Sequence, residues 1–459
     1  MWVLLVISAT IYLSLSYTAA LFFMSRRRRQ PMLPAPDDLF FVFVLPCLNE
    51  ELVIGRSLAR LLALPGGDFA VLVVDDGSED ATSEIVRGVD DERVWLLRRD
   101  LPDARQGKGE ALNAAFAYLR SSGILDGRQA RDVVLAVVDA DGRLASHSLT
   151  EVAPYFRDPR VGAVQIGVRM YNAGTSLLTR MQDLEFVTFT EVFQRARERL
   201  GSVGLGGNGQ FARLSALESL GDAPWSDCLT EDLDLGIRLL TAGWVNRFCP
   251  TTHVEQQAVT SLRRLIRQRA RWFQGHLQCW KRIPGLLRSS LPPGTTADLV
   301  QHLLSPALVL ATSLLLLSLF VGLGAAAATS PLGFAHAIIG GGGMRLFVWY
   351  LLAFGIAHFY EFTYWMREDS VSYPQALFYA HAYSIYSYFW FLAGWRAVGR
   401  IVSRRSSWAK TSRTAEAPLP TVSPPPSVAS PPARVSMVDP GLIPSSSPLA
   451  PTAPPVQVA

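Results

Sequence analysis

Between residues 39 and 168 the chain alternates continuous apolar runs with amphipathic segments, and this alternation limits the fold more than any other feature. The apolar runs cover residues 39–46, 69–76, 93–99, 132–141 and 161–168. Residues 50–64 and 108–122 carry the spacing of helices. Uninterrupted apolar strands separated by helices are typical of a mostly parallel sheet covered on both faces. The sequence therefore predicts an α/β domain.

Candidate site residues, most of them polar, lie at the ends of three of these predicted strands, at the sheet edge where ligands bind in open α/β folds. They are Pro46, Asn49 and Glu50 after the first, Asp75 and Asp76 after the second, and Asp139 and Asp141 after the fourth. Each cluster alone would fit a helix start, as Ser78 and Asp80 do. Three successive clusters favour a nucleotide pocket over three independent caps.

Asp139 and Asp141 form a D-x-D at the end of a buried strand, where two like charges repel each other unless a cation lies between them. Residues i and i+2 of a strand point the same way, so both carboxylates can reach one ion. Oxygen ligands of this kind suit Mg²⁺ or Mn²⁺. A solvated turn is the alternative interpretation.

Three further segments carry candidate residues. Lys108 lies between glycines before a helix, which suits a phosphate, although such lysines are often only solvated. Asn208 lies in the glycine-rich segment 201–209, which is either a flexible loop or backbone that approaches a sugar closely. Glu231 and Asp232 open a helix, where they either stabilise its dipole or provide a general base.

The flanks of this domain are apolar. Hydrophobic residues make up 49% of the chain, and the excess is local. Residues 1–24 are predicted to form a transmembrane anchor and 38–258 the α/β domain, while about three spans are expected within 300–396, at 300–328, 344–366 and 374–396. The tail, 415–459, is rich in Pro, Ser and Ala and is predicted to be disordered.

Basic residues cluster beside the apolar segments, which indicates a membrane surface rather than nucleic acid. Residues 259–290 include a helix, 261–282, whose seven Lys and Arg residues alternate with apolar ones as in an interfacial helix. The arginines after the anchor place its N-terminus outside. Four spans then leave the basic residues 404–413 outside too, against the positive-inside rule. Either one span is interfacial or re-entrant, or 303–343 crosses twice.

The four cysteines show no metal-binding spacing, so free thiols in a reducing compartment are expected.

Four motifs in order, "DDG" (75–77), "DAD" (139–141), "TED" (230–232) and "QRARW" (268–272), resemble those of membrane-embedded family 2 glycosyltransferases. The resemblance is to the processive group that includes cellulose, hyaluronan and poly-N-acetylglucosamine synthases, and "WAKTSR" near the C-terminus also resembles this group. It implies a GT-A fold, with transmembrane helices on both sides, and a nucleotide-diphosphate sugar donor, most often UDP-linked.

The resemblance also assigns roles. Asp75 and Asp76 would hold the nucleoside, Lys108 would assist the nucleotide, and Asp139 and Asp141 would bind the metal. Asp232, beside Glu231, would be the base of an inverting transfer. The acceptor and diphosphate end would be formed by Gln268, Arg271 and Trp272, with Asn208 nearby.

The function predicted from the sequence is synthesis of a β-linked polysaccharide at the cytoplasmic face of the plasma membrane. The spans are fewer than in cellulose synthases, and no counterpart of their gating loop is evident. A single transfer to a lipid acceptor is therefore the alternative. A non-catalytic scaffold or a small channel with a nucleotide sensor would predict a broken catalytic motif, and all four motifs are intact.

Overall fold

The computed structural model describes residues 2–26, 34–36, 38–340, 343–368 and 370–404. The predicted tail lies outside these ranges, as do Arg27 to Arg29 and the segment from Arg405 to Arg413, which includes W-A-K-T-S-R. The described strands are β1 Phe40–Cys47, β2 Asp68–Asp75, β3 Val94–Arg98, β4 Val133–Val137, β5 Arg143–Leu144, β6 Val161–Met170, β7 Gln210–Arg213 and β8 Val245–Gln256.

These strands form one sheet in the order β3-β2-β1-β4-β7-β6-β8-β5. Strands β3, β2, β1 and β4 are parallel, as predicted. Strand β7 runs antiparallel between β4 and β6, and β5 is antiparallel to β8. The sheet is therefore mixed, because β7 enters it from the glycine-rich segment that precedes it rather than through a crossover helix.

The helices of the α/β domain are α2 Ile54–Leu62, α3 Thr82–Arg87, α4 Lys108–Ser121, α5 Ser148–Val152, α6 Leu177–Thr188, α7 Arg195–Leu200, α8 Leu214–Glu218 and α9 Glu231–Thr241; α1 Trp2–Ser25 precedes them. Both faces of the sheet are covered. Phe41 and Phe43 of β1 point into one buried cluster, and Val42 and Val44 into another. This explains why the strands read as continuous apolar runs.

The chain continues as α10 Leu262–Gln278, α11 Ile283–Arg288, α12 Pro293–Thr329, α13 Pro331–Ile339, α14 Met344–Trp365, α15 Tyr373–Ser387 and α16 Phe389–Val402. By length and hydropathy alone, α12 and α14 qualify as membrane spans among the described residues. The segment predicted as a third span, 374–396, is instead divided between α15 and α16, of 15 and 14 residues. The membrane anchor at the N-terminus stays a prediction.

Helices α1 and α10 both pack against other helices of the chain. Phe273 of α10 lies in a buried cluster with Ala393 and Ala397 of α16. The Tyr17 hydroxyl of α1 donates to one carboxylate oxygen of Asp298 (2.5 Å), whose other oxygen accepts from buried Arg197 at 3.0 Å. This polar cluster ties α1, α7 and α12 together.

Candidate active site

A cavity of about 600 Å³ lies at the carboxyl ends of β1, β2 and β4 and continues along α10 to α12. Its walls include most of the residues predicted from the sequence: Pro46, Glu50, Asp76, Lys108, Asp139, Asn208, Glu231, Asp232, Gln268, Arg271 and Trp272. The residues that follow β1, β2 and β4 meet in one cavity, as expected for strand ends that share one sheet edge. Residues of α9 and α10, up to about 200 positions further along the chain, complete its walls.

Asn49, Asp75 and Asp141 are the predicted site residues that do not line this cavity. The Asn49 side chain accepts from the Glu79 backbone N–H at 2.8 Å, so it supports the loop after β2. The fully buried Asp75 carboxylate accepts from the backbone of Ser78 (2.8 Å) and from Arg98 (2.6 Å). Burial alone would raise the pKa of Asp75, but these and other hydrogen bonds lower it. Both residues thus hold the loop that follows β2.

Asp76 is the member of the pair that faces the cavity. It is buried and ion-paired with Arg99. Burial raises the pKa of Asp76, while the charge of Arg99 opposes the rise. A carboxylate held in this way at the sheet edge is suited to accept hydrogen bonds from a nucleobase or ribose.

The centre of the cavity is formed by Lys108, Asp139 and Asp232 around the backbone of Gly207. The Lys108 ammonium donates to Asp139 at 2.5 Å and also to the Gly207 carbonyl. A Cβ on Gly207 would lie 3.2 Å from an Asp232 oxygen and 3.3 Å from the Lys108 nitrogen. Glycine is needed here because any side chain would occupy the space between these charges.

Asp139 and Asp141 lie in a turn beyond β4 rather than on the strand. Strand β4 ends at Val137, and the Gly142 N–H donates to the Asp139 carbonyl at 2.7 Å. The expectation that strand alternation orients both carboxylates was therefore wrong. Asp139 faces the cavity, whereas buried Asp141 accepts from the backbone of Gln257, itself a cavity residue, at 2.9 Å.

Glu231 and Asp232 form the first turn of α9 and enter the cavity together. Burial, and then the neighbouring charge of Asp232, raises the pKa of Glu231 to about 7. Burial also raises the pKa of Asp232, against a hydrogen bond from the Leu233 backbone at 2.7 Å and the charge of Lys108. A carboxylate with a raised pKa is a stronger proton acceptor once ionised.

Gln268, Arg271 and Trp272 lie on one face of α10, as their i, i+3, i+4 spacing requires. The helix is positioned against the T-E-D segment by Gly275, since a Cβ there would lie 2.6 Å from the Thr230 backbone nitrogen. Gln278 adds a hydrogen bond from the Leu229 N–H at 2.9 Å. The T-E-D segment and the helix that carries Q-x-x-R-W are thus packed directly on each other.

Sequence reasoning missed the far end of the cavity, which consists of His276, His302, Ser305, Pro306, Val309 and Trp390. His302, Ser305 and Val309 recur at helical spacing along α12, but no motif marks them. Their neighbours in the cavity wall, His276 and Trp390, belong to α10 and α16. Only the tertiary structure brings these residues together. The centres of the His276 and His302 rings are 4.7 Å apart.

Comparison with known proteins places this site in a family. A family profile described as "Glycosyltransferase like family 2" matches residues 36–275, more than half of the chain. The chain is 33% identical over 276 residues to a beta-monoglucosyldiacylglycerol synthase of Trichormus variabilis, covering 58% of this chain and 55% of that protein. It is 27% identical over 241 residues to a poly-beta-1,6-N-acetyl-D-glucosamine synthase of Staphylococcus aureus, and the match covers 51% of this chain and 53% of that protein. The chain spans about half the length of these relatives.

A solved structure shares the fold: the mannosyltransferase PcManGT of Pyrobaculum calidifontis, in complex with GDP-Man and Mn²⁺, aligns with a TM-score of 0.58 at 20% identity. The alignment covers 86% of this chain and 98% of that one. The predicted GT-A fold is thus supported by the mixed sheet and by this likeness. On the match across its sheet and its four motifs, the chain belongs to the glycosyltransferase-like family 2.

Proposed function

We propose that this protein is an inverting glycosyltransferase that moves a sugar from a nucleotide-diphosphate donor to an acceptor that enters from the membrane side. The observation that carries the proposal is the continuity of the cavity. It runs from Asp76 at the sheet edge, past Lys108, Asp139 and Asp232, to Val309 of α12, a helix long and apolar enough to span a membrane.

The nucleotide end of the donor would lie at Pro46, Glu50 and Asp76, and its diphosphate near Lys108. Asp139, which lines the cavity, and buried Asp141, two residues further along the same turn, would hold a divalent cation such as Mg²⁺ or Mn²⁺ through their hard carboxylate oxygens. When bound, such an ion would neutralise charge on the diphosphate. The fold neighbour PcManGT was solved with GDP-Man and Mn²⁺, and this supports the assignment of both ligands.

In the transfer, an acceptor hydroxyl oxygen forms a bond to the anomeric carbon as the bond from that carbon to the diphosphate oxygen breaks. Asp232 takes the hydroxyl proton: burial raises its pKa and makes the ionised carboxylate a stronger acceptor, while the start of α9 and the charge of Lys108 oppose that rise. Arg271, which lines the same cavity, stabilises the negative charge that develops on the leaving diphosphate. Trp272 offers an aromatic face to the sugar ring.

We further propose that the acceptor is a lipid. The acceptor end of the cavity is bounded by α12 and α16 rather than by the sheet domain, and α12 continues from there into exposed apolar residues such as Leu314 and Leu317. The similarity to beta-monoglucosyldiacylglycerol synthase supports this acceptor class. A membrane location with the catalytic domain on the cytoplasmic side belongs to the same proposal.

Polysaccharide synthesis, the function predicted from the sequence, is the second candidate. The intact Q-x-x-R-W motif and the similarity to poly-beta-1,6-N-acetyl-D-glucosamine synthase favour it. In that case Trp272 would hold the end of a growing glycan, and the glycan would leave along α12.

The two candidates differ in the product. Membranes containing the full chain are incubated with labelled UDP-glucose, UDP-N-acetylglucosamine, UDP-galactose or GDP-mannose plus Mg²⁺ or Mn²⁺, with Asp232→Asn as the matched inactive control. We expect label from one donor in a small species that organic solvent extracts. Label in a long polymer that stays in the aqueous phase would refute the lipid acceptor and favour the synthase. Equal label with the Asp232→Asn protein would refute the proposed mechanism.

A further inference from the structure

Two cysteines adjoin the proposed catalytic motifs without taking part in the reaction. Cys228 precedes Thr230–Asp232 by two residues, and Cys279 immediately follows α10. Both are buried, and their sulfur atoms lie within 4.8 Å of each other and of an Asp234 oxygen. The Thr230 hydroxyl also contacts the Cys279 sulfur at 3.6 Å. The pair therefore bridges the segment that bears the base and the helix that bears Q-x-x-R-W.

Two thiols and a carboxylate resemble a metal-ligand set, but the surrounding charges argue against a metal. The Arg282 guanidinium donates to both oxygens of Asp234, at 2.7 and 2.9 Å. The carboxylate is already engaged in a bidentate ion pair, and a second cation beside the guanidinium would be repelled. The chemistry left to the two sulfurs is that of a thiol pair.

The surroundings of Cys228 favour a reactive thiolate. The Cys279 thiol hydrogen-bonds to it and is the main cause that lowers the pKa of Cys228 to about 6, with further help from Ser226 and Lys281 against burial and the charge of Asp234. Lys281 also pairs with Asp227 at 3.3 Å; the Asp227 side chain is largely exposed and that of Lys281 about half exposed. Cys228 therefore adjoins two charged side chains that reach the surface, Asp227 in sequence and Lys281 through a hydrogen bond.

We propose that Cys228 and Cys279 are an oxidation site at which a peroxide closes a disulfide between the T-E-D segment and the end of α10. The Cys228 thiolate attacks one peroxide oxygen, and the O–O bond breaks to give a sulfenic acid and hydroxide. The Cys279 sulfur then attacks the sulfenic sulfur, which releases its oxygen as water. Two thiols and one hydrogen peroxide thus give one disulfide and two waters.

The disulfide would disturb the active site because it links two segments that are already in close contact. Bonded sulfurs are about 2 Å apart, so forming the bond draws the two segments together. Between them, Gly275 already packs against the Thr230 backbone. The displacement is therefore transmitted to Glu231 and Asp232, which follow directly in α9. Oxidation is expected to abolish transfer, and a thiol reductant to restore it.

The test uses the full chain in membranes, treated with hydrogen peroxide and then alkylated and mapped by mass spectrometry. This thiol readout does not depend on the proposed function, whereas the loss of transfer does. We expect a peptide joined through Cys228 and Cys279, together with a reversible loss of transfer. Cys279→Ser protein should form no such bond and should keep its transfer activity in peroxide. Cys249→Ser is the matched control, since this buried thiol lies in the sheet domain away from the cavity, and it should respond like wild type.

Alkylation of both Cys228 and Cys279 after peroxide would overturn the proposal, whether or not the protein transfers sugar. A disulfide that leaves transfer unchanged would refute its effect on the active site. A protein that forms the disulfide but shows no transfer even when reduced would refute the proposed function and leave the oxidation site supported.

Discussion

The Arg269 guanidinium carbon lies 4.1 Å from the centre of the Trp272 ring, and Glu185 pairs with the same guanidinium at 2.6 Å. Glu185 also accepts from the Tyr386 hydroxyl (2.7 Å) and the Trp390 indole N–H (2.9 Å). Because Trp272 and Trp390 both line the cavity, one buried ion pair fixes two aromatic walls of the proposed acceptor site.

Replacing Arg269 should therefore affect both stability and the acceptor. Arg269→Met leaves Glu185 without its buried cation, and we expect a loss of about 3 kcal/mol in the free energy of unfolding. Arg269→Lys keeps the charge but loses the planar contact with Trp272, so KM for the acceptor should rise more than kcat falls. Arg267→Lys, at an exposed position of the same helix, is the control. An unchanged KM in Arg269→Lys would contradict the positioning role.

Removing the proposed base should abolish chemistry while leaving donor binding intact. Asp232→Asn keeps the shape of the side chain but cannot take a proton, and a loss of about 10²–10⁴-fold in kcat is expected. Glu231→Gln should cost less, because Asp232 is the carboxylate that borders the space at Gly207 in the centre of the cavity. Donor affinity is measured in parallel by calorimetry. The assignment of the base is wrong if Glu231→Gln loses more activity than Asp232→Asn.

Replacing the proposed metal ligands should weaken binding of the nucleotide, which can be measured without any sugar transfer. With Asp139→Asn or Asp141→Asn, or after chelation with EDTA, the affinity for the nucleoside diphosphate should fall, because phosphate charge is no longer neutralised. Titration with Mn²⁺ should restore binding to wild type but not to either variant. Binding that is equally tight with and without the ion would exclude this role.

The route of the acceptor can be tested on α12 with two neighbouring residues. Val309→Trp fills the membrane end of the cavity, whereas Leu308→Trp adds the same bulk at an exposed position. We expect Val309→Trp to abolish transfer to the lipid acceptor without weakening donor binding, and Leu308→Trp to be close to wild type. Equal transfer by both variants would mean that the acceptor does not pass Val309.

Stability should depend on pH through Glu231. Its pKa is raised from 4.5 to about 7, so within this window the folded protein holds a proton that the unfolded chain has released. Stability therefore falls as pH rises from 4.5 to about 7. Thermal melts across this range, in EDTA, should show a shallower slope for Glu231→Gln. A slope identical to that of wild type would contradict the assignment.

The sequence located the parallel strands well, because their apolar runs have no competing interpretation. It missed β7, which has four residues and follows a glycine-rich segment, and β8, where Pro250 and alternating polar residues obscure the pattern. Motifs at strand ends were recoverable because parallel strands finish at one edge. The buried position of Arg269 could not be predicted from the sequence, since an arginine within an amphipathic helix is ordinarily a surface residue. Only the packing of α6 and α16 buries it.

The polar cluster of Tyr17, Arg197 and Asp298 has a practical consequence for anyone who prepares a shortened, water-soluble form. Cutting the chain before β1 to remove the first apolar helix would also remove the hydroxyl that completes this cluster, and it would uncover Val192 and Ala196, which pack on Leu21. Such a truncated protein would expose a new apolar surface beside α7. Solubilising the intact chain in detergent or a lipid nanodisc preserves the contact.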